Sequence, residues 1–361
     1  MRIAKRSRPS RGEEGVSLGL REPRRHRGGE REPRGSWHKL PPRATVRAVI
    51  AVLSVLAGGG AARAQAADPP IEVHTLESRV YGNSRSVRVL LPPGYHDPRN
   101  RDRRYPVLYL NDGQDLFSAE TSLFGSQEWG IDELYSSADA SAEFPIIVGI
   151  DTGRRTRANE YLPWPDESLQ PPVTDPQGSR YPEFVLTEVI PLIDARYRTV
   201  ATSAGRGIGG ASYGALIALY TVGRNPGWFS TLLLESPSLY VHDAAILRAS
   251  EQVDRWPCRI AIGVGTNEAG REDWNQEAVD DVMRLAGILE RAGLTGERLR
   301  VVVEEGAVHS PRSWGDRFAP ALRFLYPIEP GLSGSGRRSG AAPSFRSGSS
   351  SSTGTSSGGG A

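Results

Sequence analysis

Between residues 70 and 328, short apolar runs alternate with longer amphipathic stretches, the pattern of a mostly parallel sheet covered by helices. The runs predict strands over Ile71–Leu76, Val87–Leu91, Pro106–Asn111, Pro145–Asp151, Gly207–Ala211, Thr231–Glu235, Arg259–Val264 and Leu299–Val303. Only a turn over Tyr81–Arg85 separates the first two. That is too short for a helical crossover, so they are expected to pair as an antiparallel hairpin. Helices are expected over Tyr181–Tyr197, Tyr213–Val222, Glu277–Ala292 and Asp316–Leu325. In the third, Val279, Val282, Ala286 and Leu289 recur at helical spacing and predict a packed stripe. Pro191 lacks a backbone donor and should kink the first.

The two ends break this pattern. Residues 1–43 mix arginine, proline and glycine, a composition that cannot bury apolar surface. They read as a disordered basic leader, or as residues ahead of a later true start such as Val46. Residues 44–66 read as a secretory signal: Arg43 and Arg47 flank the apolar core Ala48–Leu56, which is too short to span a bilayer, and small residues run on to Ala64 and Ala66. Beyond residue 329 a Gly/Ser-rich tail to residue 361 is expected to behave as flexible coil. The expected domain is therefore 67–329, a usual size for one α/β unit, and the expected location is secreted or periplasmic with no stable membrane span after cleavage.

The net charge of +2 over 361 residues is concentrated in the leader, leaving the body mildly acidic. Charge thus gives no reason to expect nucleic acid as a partner. Cys258, the only cysteine, excludes an internal disulfide, a thiolate metal site and a CxxC redox pair. Beside an apolar strand it is expected to be a small buried residue. No metal or organic cofactor is expected, and nothing in the sequence fixes an oligomeric state.

Gly210-Ala211-Ser212-Tyr213-Gly214 matches G-x-S-x-G, a strained strand-to-helix turn that lifts a serine hydroxyl above a sheet. In a chain this rich in glycine and serine the pattern alone is weak, and Gly354-Thr355-Ser356-Ser357-Gly358 also fits it. Only Ser212 follows a strand-like run and opens a helix-like one. Ser212 is therefore the candidate nucleophile, the plainer reading being a serine that caps a helix.

In such folds the acid and then the histidine follow the serine along the chain. Of the two later histidines, His242 would force Glu235 to be the acid and leave out the last strands. His309 follows the final strand, where a loop can carry an imidazole to the serine, and is the candidate base. The loop after Arg259–Val264 holds three competing carboxylates, Glu268, Glu272 and Asp273. Glu268 comes soonest and is preferred as the group that orients the imidazole, while Glu272 and Asp273 also suit the start of a helix. Two backbone N–H groups, those of Tyr213 and Gln114, are the candidate oxyanion donors. Loops at the carboxyl ends of strands line ligand crevices, which makes Asp112, Trp129, Arg154, Arg155, Glu160, Tyr161 and Trp164 candidate substrate contacts. Solvated faces and plain packing are the ordinary alternatives for these seven.

The blocks LYLNDGQDLF at 108–117, GASYGALIALY at 210–220, LLLESPSLY at 232–240, GVGTNE at 263–268 and GAVHSPRSW at 306–314 resemble, in this order, the esterase family that includes esterase D and enterochelin esterase relatives. They are similar also to carbohydrate-ester-hydrolysing enzymes. The resemblance covers about Val87 to Tyr326. It implies an α/β-hydrolase fold and cofactor-free hydrolysis of a small, carbohydrate-linked or siderophore-like carboxylic ester through an acyl-enzyme, with Ser212, Glu268 and His309 as the triad. Ala215 and the pair Ser310-Pro311 depart from the family pattern and bear on access to the site. An acyltransferase using the same three residues, or a binding protein that keeps only the fold, are the alternative functions. The fold expected is an α/β-hydrolase sheet of about eight strands, with helices on both faces and an antiparallel hairpin at its start.

Overall fold

The computed structural model describes residues 71 to 327, except 126, 139 to 143, 168 and 170. The expected leader, signal segment and tail lie outside the described residues, as does the second serine motif. Within the described residues eight strands form one sheet: β1 (Glu72–Ser78), β2 (Asn83–Leu90), β3 (Val107–Asn111), β4 (Ile146–Ile150), β5 (Arg206–Ala211), β6 (Thr231–Glu235), β7 (Arg259–Asn267) and β8 (Leu299–Val308). Their order across the sheet is β1-β2-β4-β3-β5-β6-β7-β8. β2 is antiparallel to both β1 and β4, and every other pairing is parallel. This is the α/β-hydrolase arrangement, with the predicted hairpin at its start.

Among the described residues eight helices accompany the sheet: α1 (Ile131–Ser136), α2 (Arg157–Tyr161), α3 (Tyr181–Phe184), α4 (Ile190–Arg196), α5 (Tyr213–Arg224), α6 (Val241–Ser250), α7 (Glu272–Arg291) and α8 (Pro311–Leu325). Successive strand residues point to opposite faces, and two cores result. Val107, Tyr109, Ile208, Leu232, Leu234, Ile260 and Ile262 pack on one face with side chains of α3 to α7. Leu108, Leu110, Ile147, Leu233 and Ala261 pack on the other with Ile131 and Tyr135 of α1 and Trp314, Phe318 and Leu322 of α8. None of the helices among the described residues is long and apolar enough to cross a membrane.

Several boundaries differ from expectation for local reasons. The first turn falls earlier, over residues 79 to 82, because Gly82 supplies the positive φ of 65° that closes it. Pro191 falls in the first turn of α4. A π turn over Val185–Val189 separates α3 from α4, absorbing the register change ahead of a residue with no N–H. β7 and β8 run on to Asn267 and Val308, since that pairing tolerates a bulge between Gly265 and Asn267. α8 begins at Pro311, where Ser310 caps it by accepting from the Ser313 N–H at 3.3 Å. Cys258 is exposed, not buried, because it lies in the loop before β7 and its carbonyl accepts from Arg298.

Candidate active site

β5 ends at Ala211 and α5 begins at Tyr213, leaving Ser212 between them at φ 57° and ψ −128°. A non-glycine residue in such a region costs on the order of 1–3 kcal/mol and persists only where the surroundings impose it. Here they do. The Ser212 N–H donates to the Glu235 carbonyl (3.0 Å), and the Ser212 carbonyl accepts from Ala215 and Leu216 (both 3.1 Å) and from Ser238 (3.3 Å). The flanking glycines let the turn close: a Cβ on Gly210 would meet the Gly214 backbone at 2.9 Å, and one on Gly214 would meet Asp112 Oδ2 at 2.8 Å. The Ser212 hydroxyl is 3.3 Å from that of Ser238, which is buried.

Glu268 and His309 follow directly on the ends of the paired strands β7 and β8, and they meet: His309 Nδ1 is 2.6 Å from Glu268 Oε2. Glu268 Oε1 also accepts from the Gly265 N–H (2.6 Å) and the Ser236 hydroxyl (2.7 Å). Burial alone would push this carboxyl up. The hydrogen bonds from His309, Gly265 and Ser236 outweigh it and hold Glu268 below the ordinary carboxylate value. The imidazole is about a third exposed, and its edge packs on the buried ring of Trp314 at 5.1 Å between centroids. With Nδ1 committed to Glu268, Nε2 is the nitrogen left to handle a proton.

Glu272 and Asp273 stand exposed in the first turn of α7, Asp273 paired with Arg271 at 2.7 Å, which suits the dipole of a helix start. His242 is exposed at the left-handed start of α6. Glu235, which would have been its acid, is buried and bound by Arg317 at 2.7 Å.

Tyr213 opens α5, so its N–H has no acceptor within the helix. Gln114 sits in the turn Gly113–Asp115 that follows β3, the strand beside β5. The turn's own bond runs from Asp115 N–H to the Asp112 carbonyl at 2.9 Å. The Gln114 side chain points into the loop, its carbonyl accepting from the Thr152 N–H at 3.1 Å.

The candidate substrate contacts divide sharply. Glu160 and Tyr161 are interior residues: Glu160 pairs with Arg85 at 2.7 Å, and Tyr161 stacks on Tyr181 at 5.3 Å. Trp129 is buried against Trp314 and Phe318 beneath the site. These three are packing residues and not groove walls, because short helices and turns tuck them under the loops that were expected to expose them. Asp112 is also buried, at φ 59°, and is held by Arg157 through two bonds of 2.8 Å. Trp164 is half-buried and stacks on Tyr220 at 5.5 Å. Only Arg154 and Arg155 are exposed, Arg154 donating to the Thr121 carbonyl. A groove of about 480 Å³ lies between Pro182 and Leu186 on one side and Tyr220 and Trp228 on the other. Its lining residue nearest to Ser212 along α5 is Tyr220, eight positions on, a rise of about 12 Å.

Sequence reasoning missed Arg157, Ser236, Ser238 and Trp314. Arg157 stacks over Tyr161 and Tyr213 at 5.4 and 5.6 Å, and its position four residues before Tyr161 on one helical face was the available signal. For Trp314 it was the Ser310-Pro311 cap and first turn, which start the helix early enough to bring this ring back to His309.

The strand order, the strained serine turn and the carboxylate–imidazole pair at the ends of adjacent strands define an α/β-hydrolase. The model of the family described as "Putative esterase" matches residues 78–325, and the chain belongs to that family; it is a carboxylic ester hydrolase. It is similar to the uncharacterized protein YbbA of Bacillus subtilis (strain 168), 28% identical over 256 residues that cover 70% of this chain and 96% of that protein. It is likewise 28% identical over 257 residues to the esterase Rv1288 of Mycobacterium tuberculosis, covering 69% of this chain and 48% of that protein, so it spans about half the relative's length. Among solved structures, the enterobactin esterase FES from Shigella flexneri shares the fold with a TM-score of 0.55 at 20% identity, over 73% of this chain and 60% of that one.

Proposed function

We propose that this chain is an exported serine esterase that hydrolyses a small carboxylic ester through an acyl-enzyme, with Ser212 as nucleophile, His309 as general base and Glu268 as the acid that orients it. The carrying observation is the 2.6 Å bond from His309 to Glu268 at the strand ends, in the same sheet as the Ser212 turn. Glu268 fixes the tautomer with hydrogen on Nδ1, leaving a lone pair on Nε2. The Ser212 hydroxyl turns from Ser238 toward Nε2 and attacks the ester carbonyl carbon, and Nε2 takes its proton. The resulting oxyanion is met by the N–H groups of Tyr213 and Gln114. Collapse breaks the carbon–oxygen bond of the ester, and Nε2 returns the proton to the leaving alcohol. Water then repeats the sequence on the acyl-enzyme: Nε2 takes its proton, the hydroxide oxygen joins the acyl carbon, and Ser212 regains the proton as the acid departs.

Siderophore-like and carbohydrate-linked esters are the substrate classes favoured. FES is named for enterobactin, and ring surface is exposed on both sides of the site here. Phe124 packs on Trp314 beside His309, and the half-exposed Tyr240 lies close to Tyr213, the residue after Ser212. Export rests on the segment 44–66 and on nothing in the fold. Treating the protein with an organophosphonate and mapping the adduct by mass spectrometry tests the nucleophile: the label is expected on Ser212, and Ser212→Ala should lose turnover of a p-nitrophenyl ester by on the order of 10⁶-fold. A label on another serine, with Ser212→Ala still active, rejects the reading.

A further inference from the structure

Ser236 directly follows β6 and adopts φ 42°, which turns its buried side chain toward Glu268. Three groups surround its hydroxyl. The Trp314 indole Nε1 donates to it at 2.9 Å, and Arg317 Nη2 donates to it at 3.4 Å. The third is Glu268 Oε1, at 2.7 Å.

An indole N–H and a guanidinium can only donate, and a serine hydroxyl has two lone pairs and a single proton. With both lone pairs facing obligate donors, the proton has one acceptor left, Glu268. Arg317 is itself anchored, its Nε on Glu235 and its Nη1 on Glu304, both at 2.7 Å, so the donor side of this arrangement cannot rotate away. We infer that Ser236, locked by Trp314 and Arg317, is a positioning residue that fixes the Glu268 carboxylate so that Oε2 faces His309. The inference rests on the triad reading above. It adds a buried relay, from Arg317 and Trp314 through Ser236 to the acid, in which the same tryptophan packs the imidazole from the side. Partners of this kind, one shell behind a reacting group, hold it to the narrow geometry that proton transfer needs.

A double-mutant cycle on the full chain, read as turnover of a p-nitrophenyl ester, tests this. Ser236→Ala is expected to lower kcat/KM about tenfold, nearly all of it in kcat, and Trp314→Phe, which keeps the ring and gives up the N–H, about threefold. In a Glu268→Ala background each change should cost less than about twofold, because its target is gone. Losses of the same size in both backgrounds, or a folded Ser236→Ala enzyme with parental kcat, overturn the inference. If Ser236→Ala does not fold, Trp314→Phe carries the cycle unaided. A Glu268→Ala enzyme with parental turnover overturns the acid assignment itself, a failure visible before Ser236 is touched.

Discussion

The serine and its partners are held by opposite means. Ser212 is placed by backbone: a positive φ, four main-chain hydrogen bonds and two glycines that allow close approach, while its side chain makes one 3.3 Å contact. Glu268 and His309 are placed by side chains. Neither has a positive φ among the described residues, and both are fixed by the bonds that converge on the Glu268 carboxylate and by the Trp314 ring. A group held by backbone is displaced only by altering the turn. One held by side-chain bonds is displaced by removing a single donor. The nucleophile end thus holds backbone strain, and the acid end is where activity can be tuned one side chain at a time.

The largest effects are on turnover, and on the side-chain end they are graded. His309→Ala should lower kcat by on the order of 10⁶-fold, and Glu268→Ala less, by ~10⁴-fold, because an imidazole without its carboxylate still accepts a proton, in a worse orientation. Equal losses in the two variants would mean that Glu268 does more than orient. The backbone end answers in stability as well. Ser212→Ala keeps the strained turn, whereas Ser212→Gly relieves it and gives back part of the gain as unfolded-chain entropy. Between these two inactive variants the glycine should be the more stable by about 1 kcal/mol, or ~2–4 °C in Tm by scanning calorimetry. A glycine variant that melts below the alanine one would show that the turn is not strained.

The same division explains what the sequence made legible. Strand runs, the hairpin and the Ser212 turn could be read because local chemistry dictates them: alternating or continuous apolar runs, glycines at fixed offsets, a helix-forming stretch after the serine. β6 falls on the predicted residues. The ends of β7 and β8 did not show, since Gly265 and Asn267 have poor strand propensity and are extended only by pairing with a chain segment some forty residues away. The side-chain shell behind Glu268 was illegible for the same reason: Ser236 after β6 meets Trp314 and Arg317 of α8 some eighty residues later, and no spacing announces it. Nor did polarity reveal burial. Glu160 and Asp112 looked like loop residues open to solvent, yet each is enclosed with an arginine, Arg85 or Arg157, supplied from elsewhere in the chain.

The subtlest effect, a change in pH dependence, compares two carboxyls that flank Ser236 and titrate in opposite directions. Burial pushes Glu235 up to about 7, reinforced by Glu268 and Glu304 and only partly offset by Arg317, while the three donors on Glu268 hold it below its ordinary 4.5 in spite of burial. For Glu268 the folded value lies under the unfolded one. As pH falls the folded state then binds fewer protons than the unfolded one, so its contribution is fully present above about pH 4.5 and is lost as pH drops through the folded value. Glu235 has the reverse sign: its contribution is complete below about pH 4.5 and disappears as pH rises through about 7. Thermal melts of the parent and of Glu268→Gln from pH 3 to 8 separate the two. At neutral pH the parent should be the more stable by about 1–3 kcal/mol, the worth of charge-assisted hydrogen bonds. That gap should hold down to about pH 4.5 and close below it, because the variant has no carboxylate left to protonate, while the decline toward pH 7 that Glu235 imposes persists in both proteins. A gap of constant size down to pH 3 would mean that Glu268 gains nothing from its charge in the folded state, and that its donors act by shape alone.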